Sequence, residues 1–175
     1  MSSFDALARR RSDRPLADRT ISTFYDAMVA ATQLELDHGF AHVAVVLDAR
    51  HQVIDLTPYC DRATHTIATA VEWAWCVLMN RPRAARVLLL SVGIGDEPPT
   101  DEDAALYVRV CDAFADEGIE VLDWIRAGTT SLTSMAYALH PGRAWLNDAP
   151  RDRAEVLAAL QAGGQDPSSP RHGAP

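Results

Sequence analysis

The chain has 175 residues, 48% of them hydrophobic, and a formal charge of −8 at a sequence pI near 5.1. That length is enough to bury one substantial core, and the acidic balance argues against phosphate binding as the main activity, because displacing counterions from nucleic acid takes a positive surface. All 16 basic residues are arginine, which excludes a lysine Schiff base or a P-loop lysine, and the three cysteines, Cys60, Cys76 and Cys111, have neither the even count of a disulfide framework nor CxxC spacing.

Cysteine usage of this kind fits a reducing, cytoplasmic compartment. The first twenty residues carry arginines but no apolar h-region, and no apolar run approaches the ~18 residues of a membrane span, so neither export nor membrane insertion is expected. Residues 1–15 and 163–175 are rich in Gly, Pro, Ser and charge and read as a flexible arm and a disordered tail around a single domain over 16–162. The arginines of "ARRRSDR" are diluted by Asp5, Asp13 and Asp18 and read as a solvated arm rather than a nucleic-acid contact.

Apolar positions at Ile21, Phe24, Tyr25, Met28 and Leu36, together with Thr32, follow a helical period and predict a helix over 16–38 that stops at Gly39. "AHVAVVLDARHQVIDL" predicts a hairpin, with a β-branched run from Val43 to Leu47, a turn over Asp48 to His51 and a return through Val53 and Ile54. "THTIATAVEWAWCVLMNRP" predicts a second helix closed by Pro82. Its Trp73 and Trp75 lie about 200° apart around the helix, so both are covered only if something besides the sheet packs there, which marks them as candidate binding-surface residues.

"ARVLLLSVG" reads as a buried strand by its unbroken apolar run. "TDEDAALYVRVCDAFADEG" predicts an amphipathic helix with Ala104, Tyr107, Val108, Cys111, Phe114 and Ala115 inward. "IEVLDWIRAG" is the next strand, "SLTSMAYAL" a strand or a short turn of helix, and "PRDRAEVLAALQAGG" a C-terminal helix. The alternation implies an α/β (three-layer α+β) fold with a mixed sheet flanked by helices.

Chemistry is sought first in the loop after the buried strand. Gly93 and Gly95 free the backbone where a phosphate cradle would sit, but the Gly-x-Gly-x-x-Gly pattern is incomplete and Asp96 and Glu97 follow at once. Thr100 and Asp103 have the spacing of a helix N-cap and its N3 partner, and Asp101, Glu102 and Asp103 complement the helix dipole, so "PPTDED" has a purely structural explanation.

Taken together, "GDEPPTDED", "GIEVLDWIRAG" and the order of elements over residues 41–139 resemble the RadC-like branch of the JAB/MPN metalloprotease-type fold, with its cytidine-deaminase-like architecture. The family has a His-x-His-Pro-Ser-Gly loop, a Pro-Ser-x-x-Asp helix start and a later Leu-Asp strand. Gly95 and Asp96 match the end of the loop, Pro99 and Thr100 the Pro-Ser, Asp103 the metal-ligand aspartate, and Leu122–Asp123 the strand. The two histidine positions fall on Leu90 and Val92, and the catalytic glutamate position falls near Phe40. Zinc hydrolysis needs three protein ligands and a group that manages the proton of bound water. Asp103, with a hydroxyl at Thr100, does not supply them, and the resemblance implies an inactive member of the family: a scaffold or protein-binding subunit, paired with itself or with another protein.

Two other functions are set beside that reading. A hydrolase of peptide, isopeptide or nucleotide substrates would need a zinc site rewired from His38, His42, His51, His65, His140, Cys60, Cys76 and Glu72, none of which has familiar ligand spacing. It could also use Ser91, Ser131 or Ser134 with a histidine base, although the Gly-x-Ser-x-Gly elbow is missing. A DNA-repair-type accessory is disfavoured by charge. Cys76 and Cys111 read as small core hydrophobes. Arg81, Arg83 and Arg86 read as charge compensation at a helix C-terminus.

Overall fold

A computed structural model describes residues 16, 19–38, 41–58, 83–93, 95–140 and 154, with the side chains of 36–38, 41 and 58 left aside. In chain order its elements are α1 (Phe24–His38), β1 (Ala41–Leu47), β2 (Val53–Pro58), β3 (Arg86–Val92), α2 (Asp101–Asp116), β4 (Glu120–Ala127), β5 (Leu132–Ser134) and α3 (Met135–Leu139). The expected arm and tail, the expected Trp73/Trp75 helix and the expected C-terminal helix apart from Ala154 lie outside the described residues.

The five strands form one mixed sheet in the order β2-β1-β3-β4-β5. β1 runs antiparallel to both β2 and β3, β3 and β4 are parallel, and β5 returns antiparallel to β4. α2 is the crossover between the parallel pair, as a parallel connection requires. Alternate side chains then supply two cores. Val43, Val45, Leu88, Leu90, Val92 and Ile125 pack under α1 with Phe24, Met28 and Leu34. Ala44, Val46, Val87, Leu89 and Trp124 pack under α2 with Tyr107, Val110 and Phe114. The sheet is the middle of three layers, an α/β fold. β4 carries an extra residue: Val87 faces Val121 and Leu88 faces Asp123, so Leu122 has no opposite number.

The helix expected over 16–38 starts later, at Phe24. Thr23 is its cap: the Thr23 amide donates to Asp26 Oδ2 at 2.8 Å and the Asp26 amide donates to Thr23 Oγ1 at 3.1 Å, a reciprocal capping box. Ile21 is buried as the period suggested, and Leu16 is buried too, but Ile21 lies on extended chain. Thr20 bridges Gln52, and the Val53 amide donates to Arg19 O at 2.8 Å. Those backbone bonds to the hairpin displace the first turns of helix.

The inward face of α2 also differs from expectation. Tyr107 and Phe114 are buried, but Val108 is 46% exposed and Ala115 faces solvent, while Val110 and Ala113 lie inside. The helix is rotated so that the line through Tyr107, Val110 and Phe114 meets the sheet. It stops where Gly118, at φ +75, lets the Ile119 amide reach Phe114 O and the Gly118 amide reach Ala115 O. "SLTSMAYAL" is both alternatives in turn, β5 and then α3, with Ser134 as the cap between them. Among the described residues no helix is long and apolar enough to cross a membrane.

Candidate functional site

The carboxyl ends of parallel strands are where open α/β sheets usually hold ligands, and the loops after β3 and β4 meet there. Thr100 caps α2 as its sequence predicts. Its side chain accepts from the Asp103 amide at 3.2 Å, and Asp103 Oδ2 accepts from the Thr100 amide at 2.9 Å and from the Thr100 hydroxyl at 3.0 Å. The same oxygen accepts from Arg126 Nη1 at 2.7 Å. Burial works to raise the Asp103 pKa, but the Thr100 amide and hydroxyl and the Arg126 guanidinium outweigh it and hold the carboxyl below its ordinary range. Arg126 in turn lies over the Trp124 ring, 6.0 Å from its centroid.

Asp96, in the glycine turn, is not a phosphate cradle. Its carboxylate crosses to the β4–β5 loop, taking the Thr130 amide at 2.9 Å, the Ser131 amide at 3.1 Å, and the Thr130 and Ser131 hydroxyls at 3.0 and 2.9 Å. Four donors, the Thr130 amide foremost, hold it below the usual carboxylate range against the opposing effect of burial. Gly128 faces this carboxylate so closely that a Cβ there would fall against Asp96 Oδ1.

Leu90 and Val92, where the resembled family has histidines, are 0% and 1% exposed and sit in the core under α1. Asp103 and Arg126 are on the α2 side, because Arg126 is in register with Ser91, two residues along from the Leu89–Trp124 pair that packs under α2. The sheet therefore lies between the matched aspartate and the matched histidine positions, and these residues do not fit a zinc ion. Phe40 lies outside the described residues. No group of three His, Cys, Asp or Glu side chains among the described residues could hold a metal. Cys60, Cys76, Glu72, His65 and the side chain of His38 lie outside them. His51, at φ 63, turns the β1–β2 hairpin and holds Ile21 O through Nδ1 at 3.1 Å.

The three serines weighed as nucleophiles are each in a different setting. Ser131 is on Asp96. Ser134 donates to Asp123 Oδ2 at 2.5 Å and accepts the Tyr137 amide at 2.9 Å, which makes it the cap of α3. Ser91 does meet a histidine: His42 Nδ1 is 2.8 Å from its Oγ, and the Trp124 indole donates to the same oxygen at 2.8 Å. Ser91 is nevertheless only 1% exposed, in the wall between sheet and α2. Cys111 leans on the same core, and burial pushes its thiol up to about 11, which leaves it protonated and unreactive at neutral pH.

No protein-family model matches the chain, and no curated protein matches it either.

Asp123 is the polar residue whose role sequence reasoning missed. It is fully buried, and Oδ1 accepts from the Trp124 amide at 2.7 Å and the Ala136 amide at 2.9 Å while Oδ2 takes Ser134. A buried carboxylate is tolerable only with such partners. It ties the irregular point of β4 to the β5–α3 junction. The signal available was an aspartate between the apolar Val121–Leu122 and Trp124–Ile125 in the middle of the strand "EVLDWIRA". Of the arginine cluster, Arg83 pairs with Asp48 at 3.3 Å, and Arg86 pairs with Glu120 at 2.9 Å and donates to Ala49 O. Both fasten neighbouring segments at the other end of the sheet, and the helix end they were expected to compensate lies outside the described residues. Arg81 lies outside the described residues.

Proposed function

We propose that the chain is a RadC-like JAB/MPN-type domain that acts as a protein-binding or scaffold module, and not as a zinc hydrolase. Several features support the reading: a helix followed by a hairpin, a β3–α2–β4 parallel unit, a Gly95–Asp96 loop leading to Pro99–Thr100, and Leu122–Asp123 ahead of the Ser-capped α3. The observation that carries the loss of activity is the placement of Leu90 and Val92 in the α1 core while Asp103 Oδ2 is shared among the Thr100 amide, the Thr100 hydroxyl and Arg126. Such a carboxylate holds a helix start, and the chain keeps the loop geometry without the ligand set. Its partner is a second copy or another protein, since the net charge of −8 disfavours nucleic acid.

The test is metal analysis of the purified protein together with its Asp103→Ala variant, alongside assays on peptide and isopeptide substrates. The expected result is substoichiometric zinc in both and no hydrolysis by either. Stoichiometric zinc and hydrolytic turnover, both lost on substituting Asp103, would overturn the proposal. Light scattering after size exclusion then tells a homodimer from a monomer that awaits a different partner.

A further inference from the structure

We draw no further inference here: the strongest candidate, the Ser91–His42–Trp124 side-chain cluster between the sheet and α2, carries nothing because Ser91 is closed off in the core and no feature among the described residues opens a path by which a substrate would reach it.

Discussion

Placing histidine at positions 90 and 92 tells a site that lacks only two ligands from one that could not hold them. If the chain only lacked the two imidazoles, Leu90→His with Val92→His would rebuild zinc binding around Asp103. The structure predicts otherwise, because both side chains point into the α1 core and are 0% and 1% exposed. Removing a buried leucine side chain costs about 2–5 kcal/mol in transfer and cavity terms. Desolvating an imidazole nitrogen without a partner adds about 1–3 kcal/mol. Allowing for the volume that the ring refills, Leu90→His costs about 4 kcal/mol and Val92→His about 3 kcal/mol. The double variant then approaches the ~5–15 kcal/mol that holds a whole domain together. Urea unfolding of each single variant and of the pair, with and without zinc, measures these losses, and a zinc titration followed by metal analysis reads the site. The expected outcome is a large loss of stability for each single variant and no tight zinc site in any of them. The reasoning is refuted if Val92→His, or the pair, stays within about 1 kcal/mol of the parent and binds one zinc that Asp103→Ala abolishes.

Asp103→Ala removes a capping-box partner and a half-buried ion pair, and should cost about 1–2 kcal/mol in chemical denaturation, most of it from the cap. Arg126→Ala should cost less and leave the α2 cap in place, as amide exchange at Thr100 and Asp103 would show. Asp48, Asp96 and Asp103 all have carboxyls held below their ordinary range. Each therefore stabilises the fold above the unfolded-state pKa of about 4 and loses that contribution as pH falls through its lower folded value. Urea midpoints should be flat from pH 7 to 5 and fall steeply below 4, and Asp96→Asn should flatten the fall. Gly128→Ala should destabilise the chain, and the penalty should shrink when Asp96 is also Ala. A double-mutant cycle with no coupling would show that the close approach at Asp96 is not what position 128 protects. Cys111 should alkylate slowly at pH 8 in the folded chain and at a normal thiol rate in urea, read residue by residue by mass spectrometry.

Local signals in the sequence were sufficient for much of this fold. The β-branched run of β1, the unbroken apolar β3 and the Thr100–Asp103 spacing each carry their own explanation, and each stands where it was expected. Thr23–Asp26 has the same spacing, yet Ile21 fits the helical period and imitates a longer helix; it is buried on extended chain that the hairpin holds. Val108 and Ala115 fit a helical period but not this helix's rotation, which the sheet sets. The polar contacts were the least legible. His42 and Ser91 are 49 residues apart and Asp96 and Ser131 are 35 apart, and only strand register and loop meeting points bring such pairs together. The resemblance marked Leu90 and Val92 as replaced ligands, but alternation along β3 decides that they face a core and not an opening.

The close fit of Asp96 against Gly128 also constrains how this chain can diverge. A Cβ at position 128 would fall against Asp96 Oδ1 and 2.9 Å from both the Gly95 carbonyl oxygen and the Ser131 hydroxyl, so losing the carboxylate relieves only part of the restriction. Glycine therefore stays favoured at 128 even without Asp96, as long as the Gly95 carbonyl keeps its place. In a set of related sequences, larger residues at 128 would mark chains in which the course of the Gly95 loop, and not the Asp96 bridge alone, is different.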